Sequence, residues 1–215
     1  TLVFTKHFPA MSARTAAMFE DLIRFVDRFV KLSDADLVYL RGHLQFHEYP
    51  RKHILVREGE VEQQLYFVSR GLIHQYFYNG KEQVTTDLVA EGTITGSVAS
   101  FLSGHPSHYF LETLEPSALI TISRNQLEEL YASDLKWQRF GRILITHFLL
   151  QQERHILSNM QYTVRERITH FAAEFPELLG RVPQRKLASY LDIKPETFSR
   201  IKSQMAGGKG KSNSA

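Results

Sequence analysis

The residues best placed to do chemistry lie in Gln184–Met205. Apolar side chains there recur at Leu187, Ala188, Leu191, Ile193, Phe198 and Ile201. That pattern predicts a short helix over 184–191, a three-residue turn at Asp192-Ile193-Lys194, and a second helix opened by Pro195. Proline suits a first helical turn because its missing N–H has no partner there anyway. Glu196, Thr197, Ser199, Arg200 and Lys202 are left on the outer face. Such a face matches the edges of a nucleic-acid duplex. Arg donates to guanine, Glu accepts from cytosine, and Ser, Thr and Lys bond phosphates. Two short helices at a tight turn have helix-turn-helix geometry, although helix pairs with polar faces also occur in ordinary bundles. The charge distribution favours the polyanion. Residues 161–215 carry ten Lys/Arg and five Asp/Glu, whereas the preceding 160 residues are slightly acidic.

Other chemistries find less support. Cysteine is absent, which removes disulfides, thiolate nucleophiles and cysteine-held zinc or iron–sulfur centres. No phosphate-binding loop, nucleophile elbow or dinucleotide fingerprint occurs. Ten histidines are present. His105, His108 and Glu112 form the best metal trio, as in a cupin-like enzyme, but the histidines fall in a loop beside Pro106 rather than on inward-facing strand positions. His43 and His47 have helical spacing, yet His47 lies where helix gives way to strand. The reading is therefore of no metal, no enzyme, and no cofactor beyond a small-molecule effector of unknown identity.

Elements must hold the 184–205 face in place. At 215 residues, 43% hydrophobic and 23% charged, the composition is that of a globular protein. Apolar residues at helical spacing over Met18–Leu32 predict a helix, and Ser33 with Asp36 predicts a capped second one. From Gln45 to Ile122 short runs alternate with turns: His53–Val56, Leu65–Val68, Leu72–Tyr78, Gln83–Leu88, Phe110–Leu114 and Ala118–Ile122. Asn79-Gly80 between two such runs predicts a hairpin with positive φ at both residues. Evenly spaced short strands mean a small barrel or sandwich. Gly92–Ser107 breaks the pattern as an inserted, ligand-holding element, with a helical turn or two near Ser97–Leu102. A short helix at Asn125–Tyr131 follows, then one capped by Asp134 and running to Met160. At about 26 residues it would span ~39 Å, and its apolar stripe suits pairing with a second copy. Val164–Phe175 is amphipathic and ends at Pro176, with a turn at Leu178-Leu179-Gly180. No run is apolar enough to span a bilayer and no signal peptide is evident, so a cytoplasmic location is expected.

The order RVPQRKLASYLDIKPETFSRIK, after a barrel and a long helix, resembles the cyclic AMP receptor protein/FNR family of transcription regulators. ILVREGEVEQQLYFVSRGLIHQYF is similar to that family's cyclic-nucleotide-binding roll, with turns at Gly59 and Gly71. The resemblance spans roughly Leu32–Met205. It implies that Glu196 and Arg200 read bases, while Gln184, Arg185, Lys194, Thr197, Ser199 and Lys202 hold the backbone. Pro195 stands where the family often has a further Arg, which implies a different operator. In the effector cassette Gly96 matches the family's glycine. Ser97 replaces its ribose-binding Glu, Val98 its Leu, and Ser107 its phosphate-binding Arg, with His108 next. Both charged anchors are missing, so the effector is not expected to be cyclic AMP in the family's usual mode.

The expectation is an α+β chain. A leader and helix occupy 1–33, and a double-stranded β-helix or jelly-roll-like sensor occupies 34–133. A dimerisation helix runs over 134–160, a winged-helix-like helix-turn-helix domain over 161–208, and a flexible tail over 209–215. It would work as a homodimer on double-stranded DNA, reading an inverted repeat, with RNA polymerase and a small-molecule effector as further candidate partners and no membrane. The alternative is an effector-binding or interaction module whose helix-turn-helix no longer binds DNA.

Overall fold

A computed structural model describes residues 11–208, and side chains to Met205. Residues 1–10 and the expected tail 209–215 lie outside that range. The chain divides into two compact units. The first holds the residues up to Phe77 together with Asp87–Thr146, and the second holds Tyr78–Thr86 with the residues from His147 onward.

The first unit opens with α1 (Ala13–Val26) and α2 (Asp34–Gly42). Ser33 begins α2 as expected: its Oγ accepts the Asp36 N–H at 3.3 Å, and the Asp36 carboxylate accepts the Ser33 N–H at 2.8 Å. Eight strands follow: β1 (Gln45–Tyr49), β2 (Ile54–Val56), β3 (Gln64–Arg70), β4 (Ile73–Asn79), β5 (Glu82–Val89), β6 (Thr93–Thr95), β7 (Phe110–Thr113) and β8 (Ser117–Ser123). They form two four-stranded sheets, ordered β1-β8-β3-β6 and β2-β7-β4-β5. Helix α3 (Val98–Ser103) lies between β6 and β7, and α4 (Arg124–Ser133) follows β8.

Side-chain alternation sets the layers. On β3, Tyr66 and Val68 join Val56, Ile73, Leu111 and Leu119 in a core between the sheets. Leu65 and Phe67 are also buried, on the opposite face of the same strand. Helix α1 covers that face, with the Phe25 ring 5.5 Å from Phe67. Phe140, from the start of α5 (Leu135–Gln161), lies 6.4 Å from Phe25. The 27-residue α5 is capped as expected, its Lys136 N–H bonding the Asp134 carboxylate at 2.8 Å.

Three local expectations change. Thr93–Thr95 is a strand, not part of an insertion: it pairs with β3 through Tyr66↔Thr95 and Phe67↔Ile94. Three residues are too few to show alternation. Gln45–Tyr49 is likewise a full strand, paired along its length with β8. At the β4–β5 hairpin the connecting residues are Gly80 and Lys81. Only Gly80 has positive φ, at 62°, and Asn79 ends β4. Glycine first in a two-residue loop is the type II′ arrangement, which follows strand twist as well as the Asn-Gly form does.

The second unit is helical apart from the hairpin tip Tyr78–Thr86. After α5 come α6 (Val164–Glu174), α7 (Leu178–Arg181), α8 (Gln184–Tyr190) and α9 (Pro195–Gly208). The short α7 replaces the expected turn at Leu178–Gly180. Among the described residues no strand follows β8, and no helix is long and apolar enough to cross a membrane.

Gly71 joins β3 to β4 at φ +112°, and a Cβ there would lie 2.7 Å from the Ser117 backbone. Gly71→Ala is expected to destabilise the first unit by about 2–4 kcal/mol through strain and overlap. A lowered urea midpoint with an unchanged slope would report it.

Candidate functional site

Helices α8 and α9 are clamped through a shared apolar seam. Leu187, Ala188 and Phe198 are fully buried, and Leu191, Ile193 and Ile201 nearly so. The turn between them is set by backbone hydrogen bonds. The Asp192 N–H bonds Ser189 O at 3.1 Å, and the Ile193 N–H reaches back to Ala188 O at 2.9 Å. This is a Schellman closure, which needs a left-handed residue after the helix cap. Asp192 supplies it at φ +52°. Glycine usually takes that place, but a short polar side chain tolerates it.

A buried guanidinium holds the turn from behind. Arg167 of α6 is 9% exposed, and its Nη1 donates to Leu191 O at 2.8 Å and to the Asn159 Oδ1 of α5 at 3.4 Å. A cation on the last carbonyl of α8 also complements the helix dipole. Arg167 was not singled out in the sequence, where one Arg in an amphipathic helix resembles any solvated charge.

Of the residues expected to meet DNA, Gln184, Arg185, Lys194, Glu196, Ser199 and Arg200 are exposed, and Thr197 is half-buried. Lys202 is also half-buried, and its ammonium donates to Leu179 O at 3.2 Å. On the other side of α8 the hairpin tip makes polar contacts that no sequence pattern announced. The Thr85 N–H donates to Ser189 Oγ at 2.9 Å, and Lys186 Nζ donates to Gln83 Oε1 at 3.1 Å.

In the first unit the expected effector residues surround α3. Gly96 and Ser97 link β6 to α3, and Val98 begins the helix. Ser97 and Ser107 come together in a buried pair, Oγ to Oγ at 2.8 Å. Ser107 Oγ also accepts the Tyr109 N–H at 3.0 Å. His108 is exposed on the loop. The unforeseen member is Glu62, which is 2% exposed. Its carboxylate accepts the N–H groups of Ser97 at 3.3 Å and Gln64 at 3.1 Å, and the Tyr66 hydroxyl at 3.3 Å. The site is thus built of hydroxyls and one enclosed carboxylate. In sequence Glu62 is hidden by the neighbouring Glu58-Gly59-Glu60 turn, which makes it look like one more loop acid.

The metal trio is not assembled. His105 and His108 lie in the exposed loop after α3, whereas Glu112 sits on β7 opposite His74. His43 bonds the Tyr39 carbonyl, and His47 lies on β1. Among the described residues no group of three or more His, Asp or Glu is placed to hold a metal.

Burial pushes the Glu62 carboxyl above its ordinary value of 4.5, against the lowering effect of its hydrogen bonds. The folded state therefore holds this proton more tightly than the unfolded chain does. The stabilisation from that difference is complete below the ordinary value and fades as pH rises through the raised one. Relative to Glu62→Gln, the wild-type chain should lose stability as pH rises from the ordinary carboxyl value of 4.5 through the raised one. Urea midpoints measured across that range would show it, and parallel curves would contradict it.

Residues 46–134 match the family model for the cyclic nucleotide-binding domain. A comparison with curated proteins finds no match. Among solved structures, FixK2 of Bradyrhizobium japonicum is similar at 20% identity and TM-score 0.69, covering 77% of this chain and 86% of its own. The c-di-GMP-responsive global regulator CLP of Xanthomonas campestris is similar at 21% and 0.61, covering 79% and 90%. The catabolite activator protein of Thermus thermophilus is similar at 20% and 0.52, covering 84% and 87%. Residues 46–134 are thus similar to a cyclic nucleotide-binding domain, and the sheets, long helix and C-terminal helices described above share the fold of these solved regulators.

Proposed function

We propose that this chain is a DNA-binding transcription regulator that reads an inverted repeat as a homodimer. The observation that carries the reading is the outer face of α9, with Glu196, Ser199 and Arg200 exposed above a turn locked by Asp192 and Arg167. Glu196 and Arg200 would read base edges. Gln184, Arg185, Lys194, Thr197, Ser199 and Lys202 would bond the phosphate backbone. Lys202 would exchange its Leu179 carbonyl for a phosphate oxygen.

Pairing through α5 is supported by its exposed apolar side chains. Ile145, Leu149, Ile156 and Met160 are 41%, 67%, 56% and 78% exposed. At 3.6 residues per turn they fall within an arc of about 60°, a stripe of the kind that two helices bury against each other. Two paired copies would set their recognition helices about one turn of DNA apart, ~34 Å. Such a regulator would work in the cytoplasm and without enzymatic activity, with RNA polymerase as a further partner.

The sensor site favours an effector other than a cyclic nucleotide bound in the usual mode. A cyclic phosphate needs a cation, and Ser107 supplies a hydroxyl already bonded to Ser97 and Tyr109. The Glu62 carboxylate takes the Ser97 amide, which would otherwise face the ligand's charge. An effector would act by shifting the population of DNA-binding orientations through the short connection at Tyr162-Thr163.

Arg200→Ala is expected to cost about 1–3 kcal/mol on a preferred duplex and to relax sequence preference. Lys202→Ala should weaken binding to all duplexes alike. Fluorescence anisotropy on preferred and random DNA separates the two, and equal losses on both for Arg200→Ala would remove it as a base reader.

A further inference from the structure

A cavity of about 70 Å³ lies in the first unit, in the layer between the helices and the outer face of the β1-β8-β3-β6 sheet. Phe67 and Ile122 of the sheet and Leu144 of α5 are among the side chains that wall it. It is separate from the sensor site, since none of Gly96, Ser97, Ser107 or Glu62 lines it. No charged side chain lines it either, so neither an ion nor a nucleotide phosphate finds a counter-charge. A small cavity walled by apolar side chains takes up apolar molecules in preference to water.

Two polar groups belong to its wall, and both are donors: the Tyr131 hydroxyl and the Trp137 indole N–H. Among the described residues neither side chain makes a hydrogen bond. Tyr131 is half-buried and Trp137 buried, and Tyr and Trp donors set in apolar surroundings ordinarily find an acceptor. The chain also gives up helix propensity to keep the Tyr131 ring here. Gly141 interrupts α5, where glycine costs about 1 kcal/mol relative to Ala. A Cβ at that position would lie 2.2 Å from the Tyr131 oxygen and 2.7 Å from its ring. The phenol thus lies against the backbone of α5, at the edge of an apolar space, with its proton unassigned.

We propose that this cavity is a binding site for a small uncharged aliphatic molecule carrying one hydrogen-bond acceptor, the chemistry of a short-chain ketone or ester. The hydrocarbon fills the apolar space and the acceptor oxygen receives a hydrogen bond from the Tyr131 hydroxyl. The volume is roughly half that of a dry cavity able to hold benzene, which selects a short, slim molecule over a ring system. Because Trp137, Gly141 and Leu144 all belong to α5, the ligand bears directly on that helix.

Trp137 is the only tryptophan in the chain and lines the cavity, so its emission reports occupancy without a label. The test is a titration of the full chain with 2-butanone, followed by Trp137 fluorescence. A saturable change is expected in the wild type. Tyr131→Phe, which keeps the ring and removes the donor, should weaken binding about 3–10-fold, the worth of one neutral hydrogen bond. Leu144→Phe, which fills the space, should abolish saturation. If Leu144→Phe fails to fold by circular dichroism, Tyr131→Phe still decides. A linear, non-saturating wild-type response, or equal affinity in wild type and Tyr131→Phe, would overturn the proposal.

Discussion

The β1-β8-β3-β6 sheet is buried on both faces, and much of the first unit follows from that. Leu65, Tyr66, Phe67 and Val68 of β3 are consecutive and all buried. A strand whose neighbouring residues are all apolar cannot face water on either side. One side closes against the second sheet and makes the barrel core. The other must be covered by helices, and α1 and the start of α5 cover it with Phe25 and Phe140. The long helix is therefore anchored at its N-terminal end by apolar burial. Past Thr146 it continues into the second unit with an apolar stripe exposed.

In the second unit the comparable constraint is conformational. The angle between α8 and α9 rests on one left-handed residue and one buried cation. Asp192 closes the turn, and Arg167 bonds the last carbonyl of α8 while touching α5 through Asn159. The proposed reading of bases by α9 needs such a rigid helix, because base readout depends on bidentate geometry. The polar contacts of Gln83 and Thr85 with α8 add a second support. They come from the tip of the β4–β5 hairpin, Tyr78–Thr86, which belongs to the same unit as α8.

Much of this was legible in the residues. Helical spacing in 184–205, the Ser33 and Asp134 caps and the alternating strands each report a local energy that a short segment carries by itself. What the sequence hid depends on distant partners. The strand Thr93–Thr95 exists because β3 offers it an edge, and its three residues show no period. Asp192 adopts a glycine's conformation without being glycine, so the turn's chemistry is invisible in its residue type. Glu62 and Arg167 read as surface charges until the fold buries them. At the expected effector site the resemblance implies that Ser97 and Ser107 stand where the family carries its charged anchors, whereas their mutual hydrogen bond and the Glu62 carboxylate beside them arise only in the fold.

The central claim is that α9 reads duplex DNA from a paired molecule. Selection of bound sequences from a random duplex pool by the full chain tests it most directly. The account predicts enrichment of an inverted repeat whose half-site centres lie about one helical turn apart, ~10 base pairs. Recovery of an unenriched pool, or of a single half-site with no symmetric partner, would contradict it.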